Sequence, residues 1–260
     1  MKVVILAGGK GTRLSEETVI RPKPMVEIGQ KPILWHIMKI FSHFGFKEFI
    51  ICLGYKGYFI KEYFSNYFLH SNDVTFDFKK KNLVEYHNKR NEDWKVTLIN
   101  TGEESNTGGR LLRVRKYVGE GNFFFTYGDG LSDVNIIELK KFHEAQNKLA
   151  TVTAVKPPGR FGSMSIEKNS VRFFEEKVAG DGGWINGGFF VLNSGIFKLI
   201  KNDQTIFEEE VLTKLSQDNN LNAFLHNGFW RPMDTLRDKT FLQEKWDNNQ
   251  AAWSLWRNKR

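Results

Sequence analysis

The sequence has 260 residues, of which 40% are hydrophobic and 26% charged, a balance typical of a folded globular protein rather than a disordered chain. No stretch approaches the roughly 20 consecutive apolar residues of a membrane span, and the apolar run Val3–Ala7 is too short for a signal-peptide core. The single cysteine, Cys52, excludes an intramolecular disulfide and fits a reducing compartment. We therefore expect a cytoplasmic protein with no membrane association and with Cys52 as a small core residue.

The formal net charge is +8, from 38 Lys and Arg against 30 Asp and Glu. Such a charge is compatible with nucleic acid, an anionic membrane surface or small phosphorylated ligands. The basic residues are spread along the chain, and the longest run is only Lys79–Lys81. The charge therefore does not require a nucleic-acid partner, and an RNA-binding function remains an alternative without a recognisable module to support it.

The first 155 residues alternate short apolar runs with patterns of three- and four-residue spacing. In chain order they predict a strand at Val3–Ala7, a helix between Pro32 and Gly45, a strand at Phe49–Leu53, a helix with the face Phe59 to Phe68, a strand at Val96–Asn100, a helix at Leu111–Val118, a strand at Phe123–Tyr127, a helix at Ile136–Gln146 and a strand at Thr151–Val155. Strands separated by helices indicate an α/β protein with a Rossmann-like, mostly parallel central sheet and helices on both faces. Ligands of such sheets bind beyond the carboxyl ends of the strands.

The pattern changes near residue 161. Three short strand-like segments, Gly162–Ile166, Val171–Glu176 and Gly187–Leu192, predict a smaller antiparallel sheet that is layered on the core and forms the second wall of a cleft. Helical patterns return after Asn193 and Thr235, and the polar stretch 70–95 is expected to project from the core. Because no linker is visible, we expect one domain over 1–260, with halves at about 1–130 and 131–240 and a helical tail at 235–260.

A glycine-rich turn follows the first predicted strand, with Gly8, Gly9 and Gly11 between Ala7 and Thr12. Glycines at such a place let backbone N–H groups approach an anion closely. The Walker pattern fails because Val4 stands at its first glycine, and the dinucleotide pattern fails at Leu14. The turn therefore predicts phosphate binding of another kind, with a purely structural turn as the alternative.

Two cations follow this turn, Arg13 and, ten residues later, Lys23. Pro22 and Pro24 restrict the backbone on either side of Lys23, which favours a fixed position for its ammonium group. Arginine forms planar bidentate contacts with phosphate, while lysine acts as a point charge. The two side chains can converge on one polyphosphate, although two solvated cations would satisfy the pattern as well.

The glycine turn, Arg13, Leu14 and the segment Pro22–Met25 together resemble the signature of the sugar nucleotidyltransferases. The resemblance implies the nucleotide-diphospho-sugar transferase fold, with a nucleotide-binding first half and a sugar-binding second half. It makes Lys23 a ligand of the α-phosphate and Arg13, Lys23 and Asp129 the catalytic residues. The nucleotide-binding residues that it implies in the first half are Leu6, Ala7, Gly8, Gly9, Gly11, Thr12, Arg13, Lys23 and Gly128.

Four further segments match the same family. Asp129, after a predicted buried strand, and Asp234 resemble the two aspartates that hold Mg²⁺ in the family, the expected cofactor. By the residues alone, Asp129 could equally form a turn and Asp234 could cap the following helix. The resemblance also implies sugar-phosphate contacts from the pairs Glu176–Lys177 and Asn186–Gly187, with Val178 replacing a proline common in relatives.

Narrower likenesses indicate the branch of the family that uses CTP and glucose 1-phosphate. They lie at residues 101–111, 157–162 and 229–235, and they imply that Thr107, Gly108 and Arg110 belong to the nucleotide pocket. The resemblance further implies a homo-oligomer, with a hexamer as one form, that serves bacterial surface-polysaccharide synthesis. Use of dTTP or UTP, or a non-catalytic sugar-phosphate-binding regulatory subunit, remain alternatives.

Overall fold

The computed structural model describes residues 1–80, 83–87, 92–157, 163–167, 170–175 and 183–257. The strands within these ranges are β1 (Val3–Ala7), β2 (Glu27–Ile28), β3 (Lys31–Pro32), β4 (Glu48–Leu53), β5 (Asp73–Asp77), β6 (Leu83–His87), β7 (Lys95–Asn100), β8 (Asn122–Tyr127), β9 (Gly130–Ser132), β10 (Ala150–Val155), β11 (Ser163–Glu167), β12 (Ser170–Glu175), β13 (Ile185–Asn186), β14 (Phe190–Asn193), β15 (Leu221–His226) and β16 (Trp230–Pro232).

Helices lie in several of the connections between these strands. The α-helices are α1 (Ser15–Thr18), α2 (Ile33–His43), α3 (Gly57–Ser65), α4 (Tyr67–Ser71), α5 (Thr107–Arg113), α6 (Arg115–Val118), α7 (Ile136–Gln146), α8 (Thr213–Gln217) and α9 (Leu236–Asp247). Short 3₁₀ segments lie at Thr12–Leu14, Lys23–Met25 and Ser194–Leu199, and a π-helix spans Phe207–Leu212.

One large sheet organises the fold, with the strand order β15-β10-β14-β8-β1-β4-β7. The pairs β8–β1, β1–β4, β4–β7 and β10–β15 are parallel, while β14 runs antiparallel to both of its neighbours. The strand β13 pairs with the far end of β10, on the same side as β14. The prediction of a mostly parallel central sheet is confirmed.

Two apolar clusters lie on the two faces of this sheet. One contains Phe41 of α2 and Trp253 near the chain's end, and the other contains Leu111 of α5 and Phe207 of the π-helix, all fully buried. Alternate residues along β1 and β4 point to opposite faces of the sheet, so each of these strands contributes side chains to both clusters. Helices therefore cover both faces, as predicted, and Cys52 is buried in the second cluster.

Three predicted elements differ from the structure. The helix predicted across Phe59 to Phe68 is interrupted at Asn66, and the helix predicted at Leu111–Val118 begins earlier, at Thr107, and is interrupted at Val114. The strand predicted at Gly187–Leu192 was assigned to the small antiparallel layer, and this is wrong, because Phe190–Asn193 joins the central sheet. Its first three residues are buried, which suits a strand covered on both faces.

Four small antiparallel pairs surround the main sheet: β2–β3, β5–β6, β9–β16 and β11–β12. The pair β5–β6 lies within the polar stretch 70–95 and is mostly exposed, as expected for a projection from the core. Within the described ranges, no helix is both long enough and apolar enough to cross a bilayer. The loops after β1, β4, β7 and β8 meet at the carboxyl edge of the sheet, where the candidate site lies.

Candidate active site

The glycine turn packs tightly against the ends of two neighbouring segments. A Cβ atom on Gly8 would lie 2.3 Å from Nη1 of Arg110 and 2.9 Å from the backbone nitrogen of Gly54, so that only glycine fits. The Gly8 carbonyl accepts a hydrogen bond from the backbone N–H of Tyr55 at 3.1 Å. Gly11 has a φ of +65°, which favours glycine again. The turn is thus bound to the end of β4 while its outer residues face solvent.

Arg110 lies beneath this turn as a buried support. Its guanidinium group donates hydrogen bonds to the hydroxyl of Thr101 at 3.0 Å and to the carbonyls of Leu53 at 3.3 Å, Gly102 at 2.5 Å and Glu103 at 2.9 Å. Burial lowers the pKa of Arg110 from its ordinary value, although arginine remains charged in proteins. The guanidinium therefore fixes the loop after β7 to the end of β4.

Lys23 is held at the floor of the site by its local backbone. Pro22 is extended, with φ of −65° and ψ of 148°, and Lys23–Met25 form a single 3₁₀ turn closed by a bond from the N–H of Met25 to the carbonyl of Pro22 at 2.8 Å. The Lys23 side chain is only about one-tenth exposed. The two prolines thus fix the position of a nearly buried ammonium group, as the sequence predicted.

The ammonium group of Lys23 bridges the two aspartates that lie far apart in the sequence. Its Nζ atom is 2.7 Å from Oδ2 of Asp129 and 2.7 Å from Oδ1 of Asp234. Arg13 contacts the other oxygen of Asp234, with Nη1 at 2.8 Å from Oδ2. Arg13 and Lys23, the two cations that follow the glycine turn, therefore meet both predicted metal ligands at one place.

The strand pair β9–β16 brings the two aspartates together. Gly130 pairs with Pro232, and the N–H of Met233 donates to the carbonyl of Asp129 at 2.8 Å. Asp129 directly precedes Gly130, and Asp234 lies two residues after Pro232. Met233 is fully buried, which anchors the connection. The pairing of short, distant strands is the reason that these carboxylates are neighbours.

Asp234 does not cap the helix that follows it. Thr235 is the N-cap of α9, and with Asp238 it forms a reciprocal capping box. The backbone N–H of Asp234 donates to Asp238 at 3.3 Å. The alternative interpretation of Asp234 as a cap is therefore wrong, and the carboxylate is directed to Lys23 and Arg13 instead.

Charge is closely balanced at this centre. Burial alone would lower the pKa of Lys23, but the adjacent Asp129 and Asp234 carboxylates outweigh burial and raise that pKa above its ordinary value of 10.5. Lys23 therefore stays protonated at neutral pH. Its contacts also show that a single cation can reach an oxygen of each carboxylate, and oxygen is the ligand that Mg²⁺ prefers. The two aspartates thus fit a Mg²⁺ ion.

A cavity of about 360 Å³ opens above this centre. Most of the predicted nucleotide-binding residues line it, and its full lining is Leu6, Ala7, Gly9, Gly11, Thr12, Arg13, Lys23, Pro24, Ser105, Asn106, Thr107, Arg110, Tyr127, Gly128 and Asp129. Two predicted residues are outside this lining. Gly8 is closely packed on the inner side of the glycine turn, and the N–H of Gly108 donates to the carbonyl of Thr205 at 3.0 Å. Both glycines contribute to packing around the cavity.

Sequence reasoning did not select Pro24, Ser105, Asn106 or Tyr127, all of which line the cavity. Pro24 and Tyr127 adjoin residues that were selected, so their neighbours carried a signal. Ser105 and Asn106 carried none beyond their place before α5, where Asn106 is the N-cap residue.

A chain of side-chain hydrogen bonds leads from this cavity towards the predicted sugar site. Glu208 accepts bonds from the hydroxyls of Thr107 and Tyr127, both at 2.6 Å, and Tyr127 accepts from Nδ2 of Asn186 at 3.0 Å. Burial and the neighbouring Glu208 carboxylate raise the pKa of Tyr127 well above its ordinary value of 10, so the phenol remains protonated. No sequence signal marked Glu208, since it is one of three consecutive glutamates.

The remaining predicted sugar-phosphate residues divide into two groups. Asn186 and Gly187 lie at and just after β13, beside the cavity, and the indole N–H of Trp230 donates to the carbonyl of Gly187 at 2.7 Å. Glu176 and Lys177, with residues 158–162 of the branch-specific segment, lie outside the described residues. The structure therefore places the second pair but does not describe the first.

Comparisons with known proteins show what this chain is similar to. The family model described as nucleotidyl transferase matches residues 2–245. Glucose-1-phosphate cytidylyltransferase of Salmonella typhi is 59% identical over 257 residues, covering 98% of this chain and 100% of that protein. The crystal structure of HddC from Yersinia pseudotuberculosis is 27% identical with a TM-score of 0.68, over 94% of this chain and 99% of that one. Apo UDP-glucose pyrophosphorylase, 15% identical, shares the fold with a TM-score of 0.68, over 96% and 98% of the two chains.

Proposed function

The chain belongs to the nucleotidyl transferase family and transfers a cytidylyl group from CTP to glucose 1-phosphate, giving CDP-glucose and pyrophosphate, and we propose that it does so around Mg²⁺ held by Asp129 and Asp234. The observation that supports this site most is that Arg13, Lys23 and Asp129 line one cavity and that both cations contact Asp234, which lies just behind them. A non-catalytic regulatory subunit would have no need to keep all four residues together.

The reaction is a displacement at the α-phosphorus of CTP. A phosphate oxygen of glucose 1-phosphate forms the new bond, and the bond from the α-phosphorus to the bridging oxygen of the β-phosphate breaks, so that pyrophosphate leaves with that electron pair. The attacking phosphate is already anionic near neutral pH, and no general base is needed. Catalysis then rests on positioning and on neutralisation of charge.

Each charged residue has a separate part in the proposed reaction. The N–H groups of the glycine turn bind the triphosphate, and Arg13, which is largely exposed, faces the leaving pyrophosphate. Lys23 moves its ammonium from the aspartates to the α-phosphate. When bound, Mg²⁺ supplies further neutralisation of the phosphate oxygens. Asp129 and Asp234 would hold that ion through their carboxylate oxygens, which contact Lys23 in this structure.

The second substrate is proposed to bind on the Asn186 side of the cavity. Oδ1 of Asn186 accepts from the N–H of Gly188 at 2.9 Å, and its amide nitrogen donates to Tyr127, which fixes the side chain at the cavity's edge. Lys177 is proposed to meet the phosphate of glucose 1-phosphate, and Glu176 the sugar hydroxyls, as the resemblance implies. Glu176, Lys177, Asn186 and Gly187 would then share the sugar phosphate.

We further propose a cytoplasmic homo-oligomer. The buried thiol of Cys52 suits a reducing compartment, where CTP is also found. Large apolar side chains are exposed together on the hairpin β5–β6 and on α4, among them Phe68, Phe76 and Phe78. Exposed apolar patches of this kind are typical of protein interfaces.

Pyrophosphate release with a panel of nucleotides tests the function directly. CTP, dTTP and UTP are each supplied with glucose 1-phosphate and Mg²⁺, and the sugar product is identified by mass spectrometry. We expect the kcat/KM for CTP to exceed the others by about tenfold or more, a difference of roughly 1.4 kcal/mol in transition-state binding. A preference for dTTP or UTP, or no pyrophosphate from any of the three, would contradict the proposal.

A further inference from the structure

We propose that Glu208 is a positioning residue for cytidylyl transfer, because it joins the nucleotide side and the sugar side of the cavity through Thr107 and Tyr127. This inference rests on the proposed function. Glu208 is not among the residues that line the cavity, whereas Thr107 and Tyr127 both line it. Glu208 therefore acts through these two side chains.

The contacts of Glu208 link four separate elements. Its two carboxylate oxygens accept one hydroxyl each, from Thr107 at the start of α5 and from Tyr127 at the end of β8, both at 2.6 Å. Tyr127 in turn accepts the amide of Asn186 at the end of β13. Glu208 itself belongs to the π-helix Phe207–Leu212. A displacement of any one element would change the positions of the others.

Glu208 determines the direction of the side-chain hydrogen bonds that link Thr107, Tyr127 and Asn186. An ionised carboxylate only accepts, so both hydroxyls must donate to it. The Tyr127 oxygen then has lone pairs left for Asn186, and the Thr107 oxygen accepts the N–H of Phe207 at 2.9 Å. Charge-assisted bonds of this kind are the stronger class. The side chain of Asn186 is thereby held with its oxygen on Gly188 and its nitrogen on Tyr127.

The neighbouring glutamates do not share this arrangement. Glu209 is exposed, and Glu210 is exposed and accepts the backbone N–H of Ile206. π-Helices are rare and are frequently found at functional sites. Among the three glutamates of this π-helix, Glu208 is the one that faces the cavity-lining side chains, which provides a matched control one residue away.

The test compares Glu208→Gln with Glu209→Gln in steady-state kinetics. Glutamine has only one acceptor oxygen, so at least one of the two hydroxyls can no longer donate to residue 208 and faces an amide N–H₂ donor instead. We expect Glu208→Gln to raise the KM for both CTP and glucose 1-phosphate, with kcat/KM falling about tenfold or more, while Glu209→Gln stays within about twofold. A role limited to stability would lower the active fraction, and hence kcat, at unchanged KM.

Tyr127→Phe separates the two arms of the chain. It removes the phenol hydroxyl, and with it the bonds to Glu208 and to Asn186, but it leaves the bond from Thr107 to Glu208 in place. The KM for glucose 1-phosphate should therefore rise while that for CTP changes little. Because Glu208 acts on the sugar side through Tyr127, the effects of Glu208→Gln and Tyr127→Phe on that KM should be non-additive in the double variant. Additive effects, or equal kinetics for Glu208→Gln and Glu209→Gln, would overturn the inference.

The wild-type protein distinguishes this inference from the proposed function. If wild type releases no pyrophosphate from CTP and glucose 1-phosphate, the proposed function fails. If wild type is active and Glu208→Gln matches Glu209→Gln, the function stands and the positioning role is wrong. Thermal unfolding of each variant is measured beside the kinetics, and a lower midpoint with unchanged KM values also counts against the positioning role.

Discussion

Lys23 carries more of the site's charge balance than any other single side chain. It is nearly buried, and its ammonium group contacts both Asp129 and Asp234. Two carboxylates this close repel each other unless a cation lies between them. Lys23 therefore keeps the two acids in place.

We expect Lys23→Met to lower kcat about 100-fold or more, because a preorganised charge opposite the transition state is lost. The methionine chain is similar in length, so packing should change little. Steady-state pyrophosphate release at saturating CTP measures the effect. Lys47→Met is the control, since Lys47 also pairs with an aspartate, Asp93, but lies exposed and outside the cavity lining. Equal kcat values for the two variants would contradict the assigned role.

Strands and helices place these residues, and most of them could be predicted from the sequence. The strand Val3–Ala7 and the helix Ile136–Gln146 have the predicted bounds, because glycine or asparagine marks their ends: Gly8 follows the strand, and Asn135 and Asn147 flank the helix. The break at Asn66 was missed because the apolar face continues across it. Local periodicity reports which face is buried, and it does not report where a helix is interrupted.

The site was predictable where its residues lie in one local motif. The turn from Gly8 to Arg13 and the Pro-flanked Lys23 were selected from the sequence and line or support the cavity. The pairing of β9 with β16 could not be derived, since two strands of three residues each, about 100 positions apart, carry no local signal. Glu208 was missed for the same reason. The side chains that it contacts lie far from it in the sequence.

Stability of the complete fold depends in part on an aromatic cluster where the chain's end meets α2. His36 is fully buried there, between Trp246 and Trp253, with Nε2 at 2.8 Å from the carbonyl of Ile28. Its Nδ1 accepts the indole N–H of Trp253 at 3.3 Å, so the ring is neutral. Burial lowers the pKa of His36 from 6.5 to about 4.

Folding stability should therefore fall as the pH drops from about 6.5 to about 4. In that interval the unfolded chain binds a proton at His36 and the folded chain does not, so acid favours unfolding. The loss from this group is about 3 kcal/mol. Urea unfolding at pH 7 and pH 4.5 measures it, with His36→Gln as the control, because glutamine can donate and accept without titrating. A variant with the same pH dependence as wild type would show that His36 is not responsible.

The central claim is that Asp129 and Asp234 hold the metal of the CTP complex. Electron paramagnetic resonance of free Mn²⁺, titrated with protein and CTP, measures metal affinity for wild type, Asp129→Asn and Asp133→Asn. Asp133 pairs with His226 and lies outside the cavity lining, which makes it a matched control. We predict that Asp129→Asn weakens Mn²⁺ binding at least about tenfold, the loss that even an indirect metal partner brings, and that Asp133→Asn binds as wild type does. Equal Mn²⁺ affinity in all three proteins would contradict the account.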